Sequence, residues 1–367
     1  MAWAGIEGLT HSTKSQHRKR LRVIRDQMRR LSSDFAGGVS SESRYSNAYL
    51  LYNFPLNFMK TMFVIKEISS RYQYFRLPRS ECRVLDIGCG EGAGMYGAYY
   101  ALKDTDGAQK YRLTGIDYSG KMLEHARQMA AHLRKYDASM KVRLVRQDVS
   151  DIRNFAPRKK YDIIICSNSF AEIFREDVIP KKYIGVLFGH LVNEGLLVIV
   201  EPALKKFARR LMQLRDDLAG HKAAQVILPC LHEGHCSLLQ IDNREEWCHQ
   251  SVAWPPPEFL QILNEELNRE INVLKFAYLV VYKSKTQKVR PNGYRVISHL
   301  LMEKGRKKVF LCTGNGRVEL VRLNRSKSAH NTMFDKIEKG DVIKLTDVVE
   351  RKPDYWVVSA QTVIELM

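Results

Sequence analysis

No stretch of this chain approaches the roughly 18–20 consecutive apolar residues that a membrane helix needs, which excludes an α-helical membrane span. Cysteine is sparse, 7 in 367 residues, and lacks the even, closely spaced pattern of a secreted disulfide scaffold. The opening Met1-Ala2-Trp3-Ala4-Gly5-Ile6-Glu7 lacks the basic-then-apolar order of a secretory signal. Internal repeats and long low-complexity segments are missing too, so the chain is no solenoid. Acidic residues are in short supply, 40 against 59 Lys and Arg, leaving a net charge of +19. An apolar fraction of 45% still provides for a sizeable core, and the length suits two units with linkers.

The basic excess speaks for a polyanionic partner, with nucleic acid in front. It is unevenly spread. Residues 283–352 hold 18 basic and 7 acidic side chains, so this stretch alone carries +11. A second run is His17-Arg18-Lys19-Arg20-Leu21-Arg22, continuing to Arg29-Arg30. One such run is commonly a solvated helix face, and two favour RNA contact.

Four regions follow from the patterning. Residues 1–80 read as a basic, helical region, with Leu21, Ile24, Met28 and Leu31 at helical spacing and Pro55 bending or interrupting a second helix. Residues 81–220 alternate strands and helices, which predicts a parallel sheet covered on both faces. Residues 221–285 hold a cysteine-rich segment and a strong strand, Lys275 to Tyr282. Residues 286–367 are short strands separated by Gly turns, which predicts a small basic β-domain, with an open OB-like barrel as one form.

The sharpest motif is Val84-Leu85-Asp86-Ile87-Gly88-Cys89-Gly90-Glu91-Gly92. Glycines after a first strand let a ligand approach the backbone, and the next helix N-terminus offers free N–H groups to an anion. Gly88, Gly90 and Ala93 alone would also fit a dinucleotide fingerprint. Three acids discriminate: Asp86 just before the first glycine, Asp117 ending the second strand, and Asp148 after the third. The set resembles the class I methyltransferase pattern over residues 82–201. That resemblance implies an S-adenosylmethionine site of Asp86, Gly88, Gly90, Gly92, Asp117, Tyr118, Asp148 and Val149, with Asp117 holding the ribose hydroxyls and Asp148 near the adenine. No catalytic residue is legible. The place after the fourth strand reads Ser167-Asn168-Ser169-Phe170-Ala171-Glu172, without the Pro-Pro-aromatic run typical of amine methylation. Asn168 and Glu172 could polarise a substrate or merely cap a helix.

Cys230, Cys236 and Cys248 fall within 19 residues, beside His232, His235 and His249. By spacing alone they could bind zinc with histidine help, or an iron–sulfur cluster given a fourth thiol, for which Cys312 is left. The block Cys230-x-His-Glu-x-x-Cys236, then Trp247-Cys248-His249, together with Glu201-Pro202, Arg215-Asp216 and Lys275 to Val280, resembles the Rsm-type methyltransferase-like family of small-ribosomal-subunit assembly factors, over residues 45–345. The resemblance implies a 4Fe–4S cluster on Cys230, Cys236, Cys248 and Cys312, and association with small-subunit ribosomal RNA. Ala203 stands where the family commonly has Gly, and Asn168–Glu172 keeps only the acid of a His-x-Leu-x-Glu run.

The expected protein is therefore a methyltransferase-fold, RNA-binding factor of the small ribosomal subunit, monomeric when free and without membrane attachment. The alternatives are an active rRNA methyltransferase, or a zinc-stabilised methyltransferase of a non-RNA substrate. An Arg-rich start is compatible with mitochondrial import, while the lack of a clear presequence favours a prokaryotic cytoplasm over a mitochondrial matrix.

Overall fold

The computed structural model describes residues 14–37, 44–72, 80–105, 109–149, 159–173, 181–219, 223–240, 246–284 and 293–367. Of the sequence features above, the opening residues and the part of the basic stretch at 285–292 lie outside these, as do the side chains at 17–21.

Two helices lead: α1 (Lys14–Ala36) and α2 (Ser46–Arg71), the latter carrying Pro55 within one continuous helix. Strands and helices then alternate through β1 (Cys82–Ile87), α3 (Ala93–Lys103), β2 (Tyr111–Asp117), α4 (Gly120–Arg134) and β3 (Met140–Arg146). Next come β4 (Tyr161–Ser167), the single turn α5 (Phe170–Ile173), α6 (Lys181–His190), β5 (Leu191–Pro202) and α7 (Lys205–Leu218). The cysteine-rich region contributes β6 (Gln225–Leu228), α8 (Ser237–Gln240), β7 (Gln250–Ala253), α9 (Glu258–Glu266) and β8 (Val273–Tyr282). Eight shorter strands finish the chain: β9 (Tyr294–Val296), β10 (Leu301–Glu303), β11 (Arg306–Thr313), β12 (Gly316–Leu323), β13 (Val342–Thr346), β14 (Val349–Lys352), β15 (Tyr355–Val358) and β16 (Val363–Leu366).

The chain divides into two compact units. The first takes α1, α2 as far as Lys66, β1 to β4 with their helices, and α9. Its strands lie in the order β3-β2-β1-β4. β1 pairs in parallel with β2 and with β4, and β2 with β3. β4 is buried along Tyr161–Cys166, as a parallel strand covered on both faces must be. Gly97 lets α3 lie against the α2 backbone, since a Cβ there would meet the Phe58 carbonyl. The order reverses between β1 and β4, and ligands in such sheets bind beyond the carboxyl ends of the strands at that reversal.

The second unit holds the last turn of α2 from Glu67, β5 to β8 less the margins at 253 and 273–274, and β9 to β16. The strong strand expected at Lys275–Tyr282, to which the sequence assigned no direction, is β8, and it runs antiparallel to both β5 and β6. Taken in order, the runs β3-β2-β1-β4 and β5-β8-β6 reproduce the strand sequence of a class I methyltransferase, with its one reversed strand. The C-terminal strands form a second sheet in the order β14-β15-β12-β11-β9-β13-β16, with β10 paired to β11. Its core is one cluster of Val296, Leu311, Leu320, Phe334, Ile343 and Trp356 with their neighbours.

Candidate functional site

In the first unit, the loop after β1 is shaped by three glycines with left-handed backbone, Gly88 (φ 66°), Gly90 (φ 50°) and Gly92 (φ 87°). Their surroundings differ. A Cβ at Gly88 would strike Ser169, and one at Gly92 would strike Tyr96 and Met95. At Gly90, among the described residues, only the Met122 methyl lies within contact, 3.5 Å away, so this is the glycine over which a ligand has room.

Asp86 is 1% exposed and accepts a 2.8 Å hydrogen bond from the Met95 N–H through Oδ2, while Oδ1 is buried without a partner. Burial pushes its carboxyl up to about 7; the Met95 N–H opposes the shift and the nearby Asp117 charge adds to it. Asp117 ends β2 and accepts from the Gly90 N–H and the Ser119 N–H, each at 2.8 Å. It thereby ties the glycine loop to the start of α4, whose first turn Ser119 caps by accepting from the Met122 N–H at 3.3 Å.

Asp86, Gly88, Gly90, Gly92 and Asp117 are thus brought together. Tyr118 stands exposed just past β2, Asp148 is exposed past β3, and Val149 is buried. The Gln147 N–H bonds the Asp117 carbonyl at 2.9 Å, which fastens the end of β3 to the end of β2. Sequence reasoning missed Glu91, which is 2% exposed and 3.1 Å from His125 Nδ1. Burial pushes Glu91 up to about 7 against the pull of His125. Asn168 adopts φ 54° at the end of β4, and the Ser169 hydroxyl donates to the Ile87 carbonyl at 2.6 Å. These two shape the β4 turn, and Glu172 is exposed beside it.

In the second unit, Cys230, Cys236, Cys248 and Cys312 all line one cavity of about 60 Å³ together with Arg215, Arg295, Met212, Trp247 and Tyr278. None is in a disulfide. Gly234 explains how the loop reaches β11: any Cβ there would collide with the Gly314 carbonyl in the β11–β12 turn. The thiols feel one another. Burial, with Cys230 adding, pushes Cys236 up to about 11; burial, with Cys230 and Cys236 adding, pushes Cys248 up to about 12. Cys312 is driven well above the usual thiol range by burial and then by the other three.

Two buried arginines flank the thiols. Arg215 donates to Asp216 Oδ1 at 2.7 Å, to the Gly234 carbonyl, and through Nη2 to the His232 carbonyl at 2.6 Å. Asp216 in turn accepts from the Cys236 N–H at 2.9 Å. Arg295 donates to Glu67 Oε1 and the Gly340 carbonyl, both at 2.7 Å, and to the Pro229 carbonyl at 3.0 Å. Among the described residues, Arg215 Nε and Arg295 Nη2 are buried with no nitrogen or oxygen partner, and the Arg215 guanidinium also meets the Cys230 thiol. Glu67, missed in the sequence like Arg295, also accepts from Tyr278 Oη at 2.7 Å and Arg71 Nε at 2.9 Å.

His249 lines the same cavity, and each of the three histidines has a partner. His249 Nδ1 lies 3.1 Å from the Trp247 carbonyl, and its Nε2 lies 2.8 Å from Lys339 Nζ. The His235 side chain is 74% exposed and 3.5 Å from Asp216. His232 Nε2 lies 3.2 Å from Cys312 Sγ, and burial with Arg215 pushes its imidazole down to about 4. Among the described residues, no three His, Cys, Asp or Glu side chains stand close enough to hold a single metal ion.

Comparison with known proteins adds a family. The sequence profile described as mitochondrial small ribosomal subunit Rsm22 matches residues 43–344. No curated protein matches the chain in sequence. Among solved structures, a protein from Listeria monocytogenes assigned to the class I S-adenosylmethionine-dependent methyltransferases is 14% identical, covering 63% of this chain and 61% of its own, with a TM-score of 0.37. The chain therefore spans under two thirds of that relative's length. The O-methyltransferase TomG of Streptomyces achromogenes, solved with S-adenosylmethionine, is 11% identical over 61% of this chain and 79% of its own, at a TM-score of 0.34. An S-adenosylmethionine-dependent methyltransferase of Clostridium acetobutylicum is 14% identical over 67% and 100%, at 0.32. Likenesses this distant add nothing to the strand order itself.

Proposed function

This chain belongs to the family of the mitochondrial small ribosomal subunit protein Rsm22, and we propose that it is a methyltransferase-like, RNA-binding factor of the small ribosomal subunit that binds S-adenosylmethionine and carries a 4Fe–4S cluster. The observation that carries the cofactor reading is the unpartnered, buried Asp86 Oδ1 near the uncrowded Gly90. A buried acceptor without a donor costs about 1–3 kcal/mol, which a ligand N–H would recover. S-adenosylmethionine brings an ammonium, a ribose diol and a carboxylate, which suit Asp86, Asp117 and the N-terminus of α3. Tyr118, Asp148 and Val149 are proposed to flank its adenosine end.

Cys230, Cys236, Cys248 and Cys312 would hold the cluster, which when bound supplies iron–thiolate bonds fastening the 230–248 loop to β11. Two features of the cavity fit this group. All four thiols line the one cavity, which suits a cluster ligated by cysteine sulfur alone. The unpartnered N–H groups of Arg215 and Arg295 also suit an anion with sulfide acceptors. Zinc on His232, His235 or His249 is disfavoured because two of those rings are already bonded and the third faces solvent.

For a chain of eukaryotic origin the family implies the mitochondrial matrix. No helix among the described residues is long and apolar enough to cross a membrane. The regions 1–80, 81–220, 221–285 and 286–367 are proposed as helical entry, cofactor core, cluster segment and basic RNA-contacting β-domain. Incubating the protein with tritiated S-adenosylmethionine and small-subunit RNA tests the reading. It expects both to be bound. Label left in the RNA would establish the active-methyltransferase alternative, and a protein that binds neither would refute the proposal.

A further inference from the structure

Beside the thiol cavity, His232 meets one of the four sulfurs. Arginine carries only N–H donors, so the 3.3 Å approach of Arg215 Nη2 to His232 Nδ1 favours a lone pair on that nitrogen. The ring proton then sits on Nε2, which lies 3.2 Å from Cys312 Sγ. Both ends of this arrangement are fixed. The same guanidinium holds the His232 carbonyl and ring, and is itself clamped by Asp216 and the Gly234 carbonyl. The other tautomer would set an N–H against an N–H.

We propose that His232, oriented by Arg215, is a positioning residue of the cluster site: a preset hydrogen-bond donor to the Cys312 sulfur that raises the cluster's reduction potential. The inference rests on the cluster reading above. Hydrogen bonds to sulfur and the partners beyond the ligands are among the levers that set such potentials. One electron added to the cluster makes its thiolates more electron-rich, so a donor aimed at one of them favours the reduced state. A histidine that only fills the gap beside β11 would leave the potential alone.

The test is a spectroelectrochemical titration of the full chain, purified without oxygen, as wild type, His232→Leu and His232→Gln. All three are expected to retain iron, sulfide and the visible spectrum. The Leu form, which has no donor, should be at least tenfold harder to reduce, a fall of 59 mV for one electron. The Gln form places an amide N–H near the position of Nε2 and should recover most of that. If the Leu form does not fold, His232→Asn takes its place, since its amide is too short to reach the sulfur. A midpoint unchanged by removal of the donor overturns the inference while leaving the cluster intact. Absence of iron from the Leu form, with iron kept in Cys312→Ser, would make His232 a ligand and overturn it too. A wild-type protein without iron removes the cluster reading first, and this inference with it.

Discussion

A carboxyl as deeply buried as that of Asp86 destabilises the fold once it ionises. Its folded value of about 7 lies above the ordinary 3.8, and Glu91 is likewise lifted to about 7. Between about pH 4 and pH 7 the folded chain therefore binds more protons than the unfolded one, so stability falls as pH rises across that window. Urea titrations at pH 5 and pH 8 should show this fall, and Asp86→Asn should lessen it; an equal fall in the variant would contradict the buried, raised carboxyl. A cationic ligand group facing Asp86 favours its ionised form. Cofactor binding near pH 6 should then release a proton, read by calorimetry in buffers of different ionisation heat. Asp117 is expected to act differently, as an acceptor for the ribose hydroxyls. Asp117→Ala removes its bonds to the Gly90 and Ser119 N–H groups as well as any to ribose. Losing a hydrogen bond to a charged group costs about 1.5–3 kcal/mol, so affinity should drop tenfold or more. Calorimetry giving unchanged affinity in the folded variant would remove this residue from the cofactor site.

Among the elements, the pair that matters most joins the last turn of α2 to β9. Burial works against ionising Glu67, but Arg295, Tyr278 and Arg71 more than offset it and hold the carboxyl below its usual range. Removing one partner of such a pair strands the other, at about 3–5 kcal/mol, whereas replacing both with apolar groups is often close to neutral. Arg295→Met should accordingly lower the urea midpoint strongly, and adding Glu67→Met should restore much of it. A double variant as weak as the single one would show that the pair is no buried unit. The sequence carried no sign of this pairing, because a partnership across 228 residues leaves no local period. What it did carry was local. The Val84–Gly92 run predicts strand, glycine turn and helix, and the alternation over 81–220 predicts parallel strands covered on both faces; β1, its glycine turn and the buried β4 form as expected. β6 and β7 went unseen, being four residues each and framed by prolines, cysteines and polar side chains. The reversal of β8 was illegible for a related reason: alternation of apolar runs says that a strand exists, not which way it points. Likewise Cys230, Cys236 and Cys248 announced themselves by proximity, but Cys312 entered as the thiol left over and through family resemblance, and Arg215 belonged to that resemblance without its role beside the thiols being visible.

Over the whole molecule, charge is the property to test, and pairing refines which charges count. Arg306 and Lys308 both bridge to Glu303, Lys308 also to Glu319, and Lys307 to Asp335. Among the described residues, exposed Lys304, Arg325, Arg351 and Lys352 have no such partner and are the better candidates to meet phosphates. Their joint replacement by Ala should lower the slope of log K against log salt for RNA by about 0.7 for each phosphate no longer neutralised. An unaltered slope would mean that this surface is only solvated.

The account stands most directly on the cysteine cavity, because that site draws ligands from segments 64 residues apart in the chain, Cys248 and Cys312. Thiolates without histidine favour iron–sulfur over mixed zinc coordination. The decisive measurement is the iron and acid-labile sulfide content of protein purified without oxygen, for wild type, Cys312→Ser and His249→Ala. The account predicts a brown wild type with iron and sulfide in similar amounts, the same in the histidine variant, and neither in Cys312→Ser. A colourless wild-type protein holding zinc that His249→Ala releases and Cys312→Ser keeps would contradict it.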